Sequence, residues 1–492
     1  MRTTLGKLAK LSAVYAIGDI VTRGAALLLL PLYTRFLSPE DYGIVGVAEM
    51  IKQVLQMLLT LGATGIVIRF YAITTNVADR RRLFGTLWLL LICLPGLACL
   101  ALLTVGRPLL ETLFVQLDVD RHLTPTLLTT FLISAFLLIP PGILRAREQA
   151  VGYVAFSLGL FASSNLAILW QVVLLGRGAE GYLTGQLIGA GLMAIIATGM
   201  LLREVTIRPA WRYVAPMLAY GLPLVPHYVG HWALGLSDRL ILERFVSLTD
   251  LGLYTLAYQI GLVAQLLVQA VNNALLPMFG RAATDEGEFA RLPQVATYAV
   301  FAEAAAVLAL ALAAPSLVQL VTPPNYHSAG MLAIPILLGY LAFGLYGLPM
   351  NGLAQMVGQT RLVPLLTLSA AGVNIGLNLL LVPRYGVWAA AFVSLVGYLV
   401  LLLLVWMAAQ RARPLPYEYG RIGKILLAML ASLGLGMLLL RQQPLINILL
   451  IPVPLLMMLV FLYLLGFWTP RERDLLSALR ARIAARFSHQ PW

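Results

Sequence analysis

Apolar runs of about 20 residues follow one another from one end of the chain to the other, and a run of that length crosses a bilayer as a helix. Over 492 residues the mean hydropathy is +0.87 and only 11% of residues are charged, where a soluble chain carries roughly 25%. The expected fold is therefore an all-α polytopic membrane protein. Strands are not expected, because an open sheet edge finds no hydrogen-bond partner in lipid. The expected spans are 11–34, 43–70, 85–106, 124–144, 152–175, 182–202, 214–242, 252–280, 294–314, 329–350, 363–382, 386–408, 424–440 and 445–467, about 14 transmembrane helices. Their short connections leave no room for a soluble domain or a nucleotide-binding loop.

The formal charge of +13 would suggest nucleic acid in a soluble protein. Here the basic residues sit in short loops, so no nucleic-acid partner is expected. The N-terminus, the loops after even-numbered helices and the tail hold 23 Lys and Arg, against 7 in the opposite connections. That asymmetry puts both termini in the cytoplasm. The basic run before the first helix resembles a signal peptide, but Asp19 and Arg23 interrupt its apolar stretch, and it is read as a retained span. Leu475, Leu476, Leu479, Ile483 and Phe487 share one face of the tail, with arginines beside them. That pattern suits either an interfacial helix on an anionic leaflet or a basic tail serving topology alone.

An internal repeat organises the chain. Arg35-Phe-Leu-Ser-Pro-Glu-Asp-Tyr-Gly-Ile44 returns as Arg244-Phe-Val-Ser-Leu-Thr-Asp-Leu-Gly-Leu253, with five identities at an offset of 209 residues. Both copies carry a Ser-x-x-Asp capping box that launches a helix. Six helices separate the copies, which makes the halves parallel repeats about an axis along the membrane normal. The expected domains are two six-helix lobes, 1–209 and 210–420, around a central cavity, with helices 13 and 14 and a basic tail in 421–492.

Charges inside membrane helices cost about 2.5–3.5 kcal/mol each and need a reason. Asp19 and Arg23 share a face of helix 1; Glu49 and Lys52 share one of helix 2, continued by Gln53, Gln56 and Thr60. Helix 8 carries Tyr254, Tyr258, Gly261, Gln265, Gln269 and Asn272 at helical spacing. The 209 offset sets Gln56 on Gln265 and Thr60 on Gln269, so the two polar faces coincide. Either they line a shared cavity, or they are hydrogen-bonding glue between helices. Arg23 and Lys52 are either halves of self-neutralising pairs or the cations that meet an anionic substrate, with phosphate a good match for Arg. Asp19 and Glu49 are then counter-charges or coupling sites, and Glu303, without an obvious local partner, is either a neutral buried acid or a coupling group. His227 and His231, with Asp238 on the same face, have metal-ligand spacing but too few ligands, so no metal is expected; they are either cavity-lining, proton-responsive coupling groups or polar helix-packing groups. Asp118 and Asp120 in an outer loop are not taken as a metal pair. Cys93 and Cys99 diverge on one helix, and no disulfide is expected. Gly185/Gly189 and Gly372/Gly376 are expected to be close helix contacts. No catalytic constellation is apparent, and neither enzyme activity nor a cofactor is expected.

Residues 30–43, Leu-Pro-Leu-Tyr-Thr-Arg-Phe-Leu-Ser-Pro-Glu-Asp-Tyr-Gly, resemble the N-terminal signature of the polysaccharide biosynthesis (O-antigen and exopolysaccharide unit) flippases. These belong to the multidrug/oligosaccharidyl-lipid/polysaccharide exporter superfamily. Asp238-Arg-Leu-Ile-Leu-Glu-Arg-Phe245 and Asp250-Leu-Gly-Leu-Tyr254 are similar to that family's helix 7–8 junction. The resemblance implies alternating access and movement of undecaprenyl-diphosphate-linked oligosaccharide across the bacterial cytoplasmic membrane. The chain would work as a monomer among membrane lipids and beside other polysaccharide assembly proteins. Cavity cations would meet the diphosphate: Arg23 falls in the helix where related lipid II flippases carry a functional cation, and Lys52 is a looser match. The cation-free stripe of helix 8 departs from a strongly cationic cavity. Two extra C-terminal helices resemble the groove-forming pair of lipid II flippases. The alternatives are a lipid II flippase, a drug/cation antiporter of the same superfamily, or a membrane polysaccharide polymerase or ligase, which would need larger outer loops.

Overall fold

The computed structural model describes residues 28–222, 225–440, 443–470 and 472, without the side chains of His227 and Thr360. It is helical, and no strand occurs among the described residues. Eleven segments there are long and apolar enough to cross a membrane, against the fourteen expected.

The chain divides into two compact units: residues 1–259, 321–332 and 361–401, and residues 260–320, 333–360 and 402–492. In chain order the helices are α1 (28–36), α2 (Pro39–Leu59), α3 (Ala63–Ile73), α4 (Val77–Leu103), α5 (Arg107–Leu113), α6 (Thr124–Phe136), α7 (Ile139–Ala146), α8 (Ala150–Leu169) and α9 (Gly178–Glu204). They continue with α10 (Val214–Gly221), α11 (Val225–Phe245), α12 (Leu248–Arg281), α13 (Glu286–Val321), α14 (Ser328–Asn351), α15 (Val363–Ala412), α16 (Tyr419–Leu438), α17 (Pro444–Leu450) and α18 (Pro452–Leu464).

Several expected spans are broken or joined. The span expected at 43–70 is α2 and α3, parted at Leu61 and Gly62, both with positive φ (50° and 71°). No proline forces this break. The carbonyl of Leu61 lies where a side chain on Gly221 would sit, so α10 packs into the gap. The span expected at 214–242 is described as α10 and α11, and Pro223 between them lies outside the described residues. The spans 363–382 and 386–408 are the two arms of α15, joined at Gly386 with φ 59° and ψ −141°, a conformation open to glycine.

Both copies of the repeated motif form the caps expected of them. The Ser38 hydroxyl accepts from the Asp41 amide at 3.1 Å, and Asp41 Oδ2 accepts from the Ser38 amide at 2.9 Å. The Ser247 hydroxyl accepts from the Asp250 amide at 3.1 Å. Asp41 also ties α2 to α9, its Oδ1 accepting from the Ala179 amide at 2.8 Å. The two helix starts then meet each other. A Cβ on Gly43 would strike the Leu248 carbonyl, and one on Gly252 would strike the Pro39 carbonyl. With the 209 offset, Gly43 corresponds to Gly252 and Pro39 to Leu248, so the contact is reciprocal. Gly46 and Thr255 are equivalent positions and touch one another.

Gly185 and Gly189 bring α9 against the backbone of α8 at Ile168 and Ser164, as expected. Gly372 and Gly376 depart from that expectation: among the described residues nothing lies within 4 Å of a Cβ built on either, and both are exposed on α15. Cys93 and Cys99 are unpaired.

In the second unit the chain after α18 folds back onto α16. Arg421 donates to Glu418 Oε2 at 2.9 Å and to both carboxyl oxygens of Glu472 at 3.1 Å, with its guanidinium 4.4 Å from the centre of the Phe467 ring. The Tyr298 hydroxyl and the Thr469 amide also donate to Glu472, at 2.5 and 2.7 Å. The tail expected to be amphipathic, beyond Glu472, lies outside the described residues.

Two predictions follow from this packing. Gly43→Ala and Gly252→Ala should each cost about 1–3 kcal/mol, since a backbone carbonyl cannot step aside. Gly199→Ala, with nothing within 4 Å, should be neutral. Thermal melts of the purified chain decide it, and equal melting temperatures for all three would mean that the helix starts are not held this close. The second concerns pH. Burial pushes the Glu472 carboxyl up, but the bonds from Tyr298 and Thr469 and the Arg421 charge hold it down, to about 2. A depressed carboxylate stabilises the fold above its unfolded pKa of about 4.3 and loses that contribution as pH falls through its folded value. Docking of this segment, read by Trp468 fluorescence, should hold from neutral pH to about 4.3 and weaken below it. Glu472→Gln should flatten that response.

Candidate functional site

The polar stripe of α2 is not open-ended. Lys52 Nζ donates to Glu49 Oε1 at 2.6 Å and to Gln186 Oε1 at 3.1 Å; Gln186 Nε2 donates to the same Glu49 oxygen at 2.6 Å. One face of α2 and one of α9 thus share a closed, net-neutral triad. Gln186 was not read from the sequence, since nothing local marks a residue 137 positions from its partner. Beside it on α9, the Tyr182 ring meets the Tyr33 ring edge to face at 5.7 Å, and the Tyr33 hydroxyl donates to Asn165 Oδ1 on α8 at 2.5 Å. Further along α2, Gln56 Nε2 is buried with no partner among the described residues. It is a spare donor on the same stripe.

Asp19 and Arg23 lie outside the described residues, as does the side chain of His227. His231 is half-buried on α11. On α12, Tyr258 is buried and donates its hydroxyl to Ser394 Oγ at 3.1 Å. Its neighbours form a cluster that the sequence reading passed over. The Tyr254 hydroxyl donates to Asp238 Oδ2, the Arg239 amide donates to Asp238 Oδ1 at 2.8 Å, and the Arg239 guanidinium lies 4.5 Å from the Tyr258 ring centre. Asp238 and Arg239 are adjacent in sequence and point apart on a helix, so periodicity gives no hint that the two share one buried site.

In the second unit, Gln265 and Gln269 are half-buried on α12. Asn272 is turned toward α13 and α14, and its amide donates to Glu303 Oε1 at 3.1 Å. Glu303 is 1% exposed. Asp118 and Asp120 are accounted for locally: Asp118 caps the turn at Arg121, and Asp120 pairs with Arg107 at 2.9 Å. No group of three potential metal ligands occurs among the described residues. A cleft of about 380 Å³ lies between α7 and α9, walled by Ile143, Leu144 and Met200. Arg147 stands at it, clamped on both oxygens of Glu204 at 2.8 and 2.5 Å.

A family model described as "Polysaccharide biosynthesis protein" matches residues 8–283, more than half of the chain. The chain belongs to the polysaccharide biosynthesis protein family. Two proteins of Haemophilus influenzae are similar to this family member: "Lsg locus putative protein 1", 23% identical over 56% of this chain, and an "Uncharacterized membrane protein", 22% identical over 55%. The matches span 66% and 64% of those relatives, just under two thirds of their length. Among solved structures, the fold is similar to "Lipid II flippase MurJ, inward closed conformation". The TM-score is 0.73 at 16% identity, covering 94% of this chain and 100% of that one. It is also similar to an inward-facing multidrug resistance MATE family transporter of the MOP superfamily. There the TM-score is 0.63 at 15% identity, covering 81% and 93%. This family member is a multi-pass membrane protein, and the solved structures whose fold it shares are those of a flippase and a transporter.

The closed triad makes a prediction. Lys52→Met leaves the half-buried Glu49 carboxylate without its cation, and losing a hydrogen bond to a charged group costs about 1.5–3 kcal/mol. Membrane levels and melting temperature should fall with Lys52→Met and recover largely in Glu49→Gln/Lys52→Met. A double variant no better than the single would mean that Lys52 holds the fold through Gln186 alone.

Proposed function

We propose that this protein moves undecaprenyl-diphosphate-linked oligosaccharide units from the inner to the outer leaflet of the bacterial cytoplasmic membrane by alternating access, for surface polysaccharide biosynthesis. The observation that carries this reading is the extent of the fold likeness. The lipid II flippase matches 94% of the chain and the multidrug transporter 81%. The family described by polysaccharide biosynthesis supports the same direction. On this reading the working lobes are 1–209 and 210–420, with 421–492 added to them and both termini cytoplasmic. The reciprocal contact of Gly43 and Gly252 supports such a duplication.

The physical task is to carry a diphosphate and its sugars through about 30 Å of hydrocarbon. A bare charge there is costly, so the protein must supply compensating donors. Lys52 is already bonded to Glu49 and Gln186, and a diphosphate would have to compete with them. Arg23, with the guanidinium fork that suits phosphate, and Gln56, with its spare amide, are the contacts this reading assigns to the first half. Tyr258, Gln265 and Gln269 offer neutral groups suited to sugar hydroxyls.

The test is reconstitution of the full chain in proteoliposomes with a fluorescent undecaprenyl-diphosphate oligosaccharide. The wild-type chain should speed its transfer between leaflets. Asp19→Asn/Arg23→Gln, which leaves no stranded carboxylate, should insert normally and lose that activity. A double variant with full activity would reduce Arg23 to an ion-pair partner. A wild-type chain that moves drug cations and no lipid-linked sugar would replace the flippase reading with an antiporter.

A further inference from the structure

Glu303 is the one acid inside a long apolar helix of the second unit whose bonding is visibly incomplete. Its Oε1 accepts from Asn272 Nδ2 at 3.1 Å, and its Oε2 is buried with no partner among the described residues. Asn272 shows the complementary defect. Its Nδ2 lies within bonding distance of three acceptors, the Val268 carbonyl (3.0 Å), the Gly344 carbonyl (2.9 Å) and Glu303, while its Oδ1 is buried and unpartnered. A carboxamide nitrogen has two hydrogens. Three acceptors compete for them, and two further oxygens receive none. Turning the amide over would set Oδ1 against three other oxygens, so the orientation follows from the surroundings. The site is short of hydrogen.

The cradle is built for this pair. A Cβ on Gly344 would come within 2.6 Å of Glu303 Oε2, and one on Gly347 would overlap the Asn272 amide. Two glycines on α14 thus leave the space that the acid and the amide fill. The charged residues of this part of α12, of α13 and of α14 lie at helix ends, at Arg281, Glu286, Glu288 and Arg291. The other titratable side chains there are Tyr298, Tyr340 and Tyr346. None of these bonds to Glu303, and no cation is paired with it among the described residues.

We propose that Glu303, cradled by Asn272, Gly344 and Gly347, is a proton-binding site that is occupied in this conformation. A proton on the carboxyl supplies the missing donor and removes an uncompensated charge from an apolar interior. A metal cation fits less well, because it needs a shell of several free oxygens and the Val268 and Gly344 carbonyls already accept from the amide. Release of the proton requires Glu303 to reach water, which couples its occupancy to a rearrangement of α13 or α14. That coupling rests on the flippase reading; the proton site does not.

The test is infrared spectroscopy on the full-length chain in lipid nanodiscs at neutral pH. The wild-type minus Glu303→Gln difference spectrum should show a protonated-carboxyl C=O band, unchanged when sodium replaces potassium. Glu303→Gln supplies the same hydrogens from its amide, so it should reach wild-type membrane levels, yet lose surface polysaccharide in a flippase-deleted host. Absence of the band overturns the proposal, as does its removal by sodium, which would make the site a metal-cation site. A fully active Glu303→Gln overturns its place in the transport cycle. A wild-type chain that fails to restore polysaccharide tells against the flippase reading and leaves the band to decide the proton site.

Discussion

Lipid offers no hydrogen bonds, so each donor and acceptor carried into the hydrocarbon must be met from within the protein. The helical backbone meets its own. Threonines do the same locally: on α6, the hydroxyls of Thr126, Thr129 and Thr130 donate to carbonyls four residues back at 2.6 to 2.8 Å. Charged side chains cannot be satisfied within one turn. The positions of the acids and bases therefore dictate which helices have to pack together. The Glu49–Lys52–Gln186 triad fixes the register of α2 on α9, and Asp238 draws in Tyr254 from the next helix.

Three acids of the membrane helices show three degrees of compensation. Glu49 receives an ammonium and an amide on one oxygen. Asp238 receives a phenol, a backbone amide and a neighbouring guanidinium 3.5 Å away. Glu303 receives one hydrogen from an amide that is shared elsewhere. Beside the first two, an opposite charge and several donors stand in for water. The third has no cation and a single shared donor. Charge content alone made these acids look alike in the sequence; the number and sign of their partners separates them.

What was legible in the sequence is what depends on near neighbours. Capping boxes at Ser38 and Ser247, the helical spans and the α8–α9 approach at Gly185 and Gly189 all follow from spacing. What was not legible depends on distant partners. The break at Leu61 and Gly62 has no proline to announce it, and is matched by Gly221 arriving from α10. Gln186 and Tyr254 are ordinary residues until Glu49 and Asp238 are placed against them. Gly372 and Gly376 have the same spacing as Gly185 and Gly189, yet no described residue lies within 4 Å of a Cβ on either. Small residues permit a close approach, but only an available neighbour makes one.

In the contact between the two motif copies, one requirement applies to both. Gly43 must clear the Leu248 carbonyl and Gly252 the Pro39 carbonyl, so both are glycine. Positions 46 and 255, which also correspond at the 209 offset, face each other. Two threonines at 46 and 255 would collide there and two glycines would leave a void, so a small residue and a larger one fill the space together. The same offset sets Asp19 on Tyr228, Arg23 on Trp232 and Lys52 on Gly261. Each of these three charges has an uncharged counterpart in the second half. An insertion cost of a few kcal/mol per charge favours discarding any that lacks a partner, and the second half has kept its acids where Tyr254, Arg239 or Asn272 can reach them.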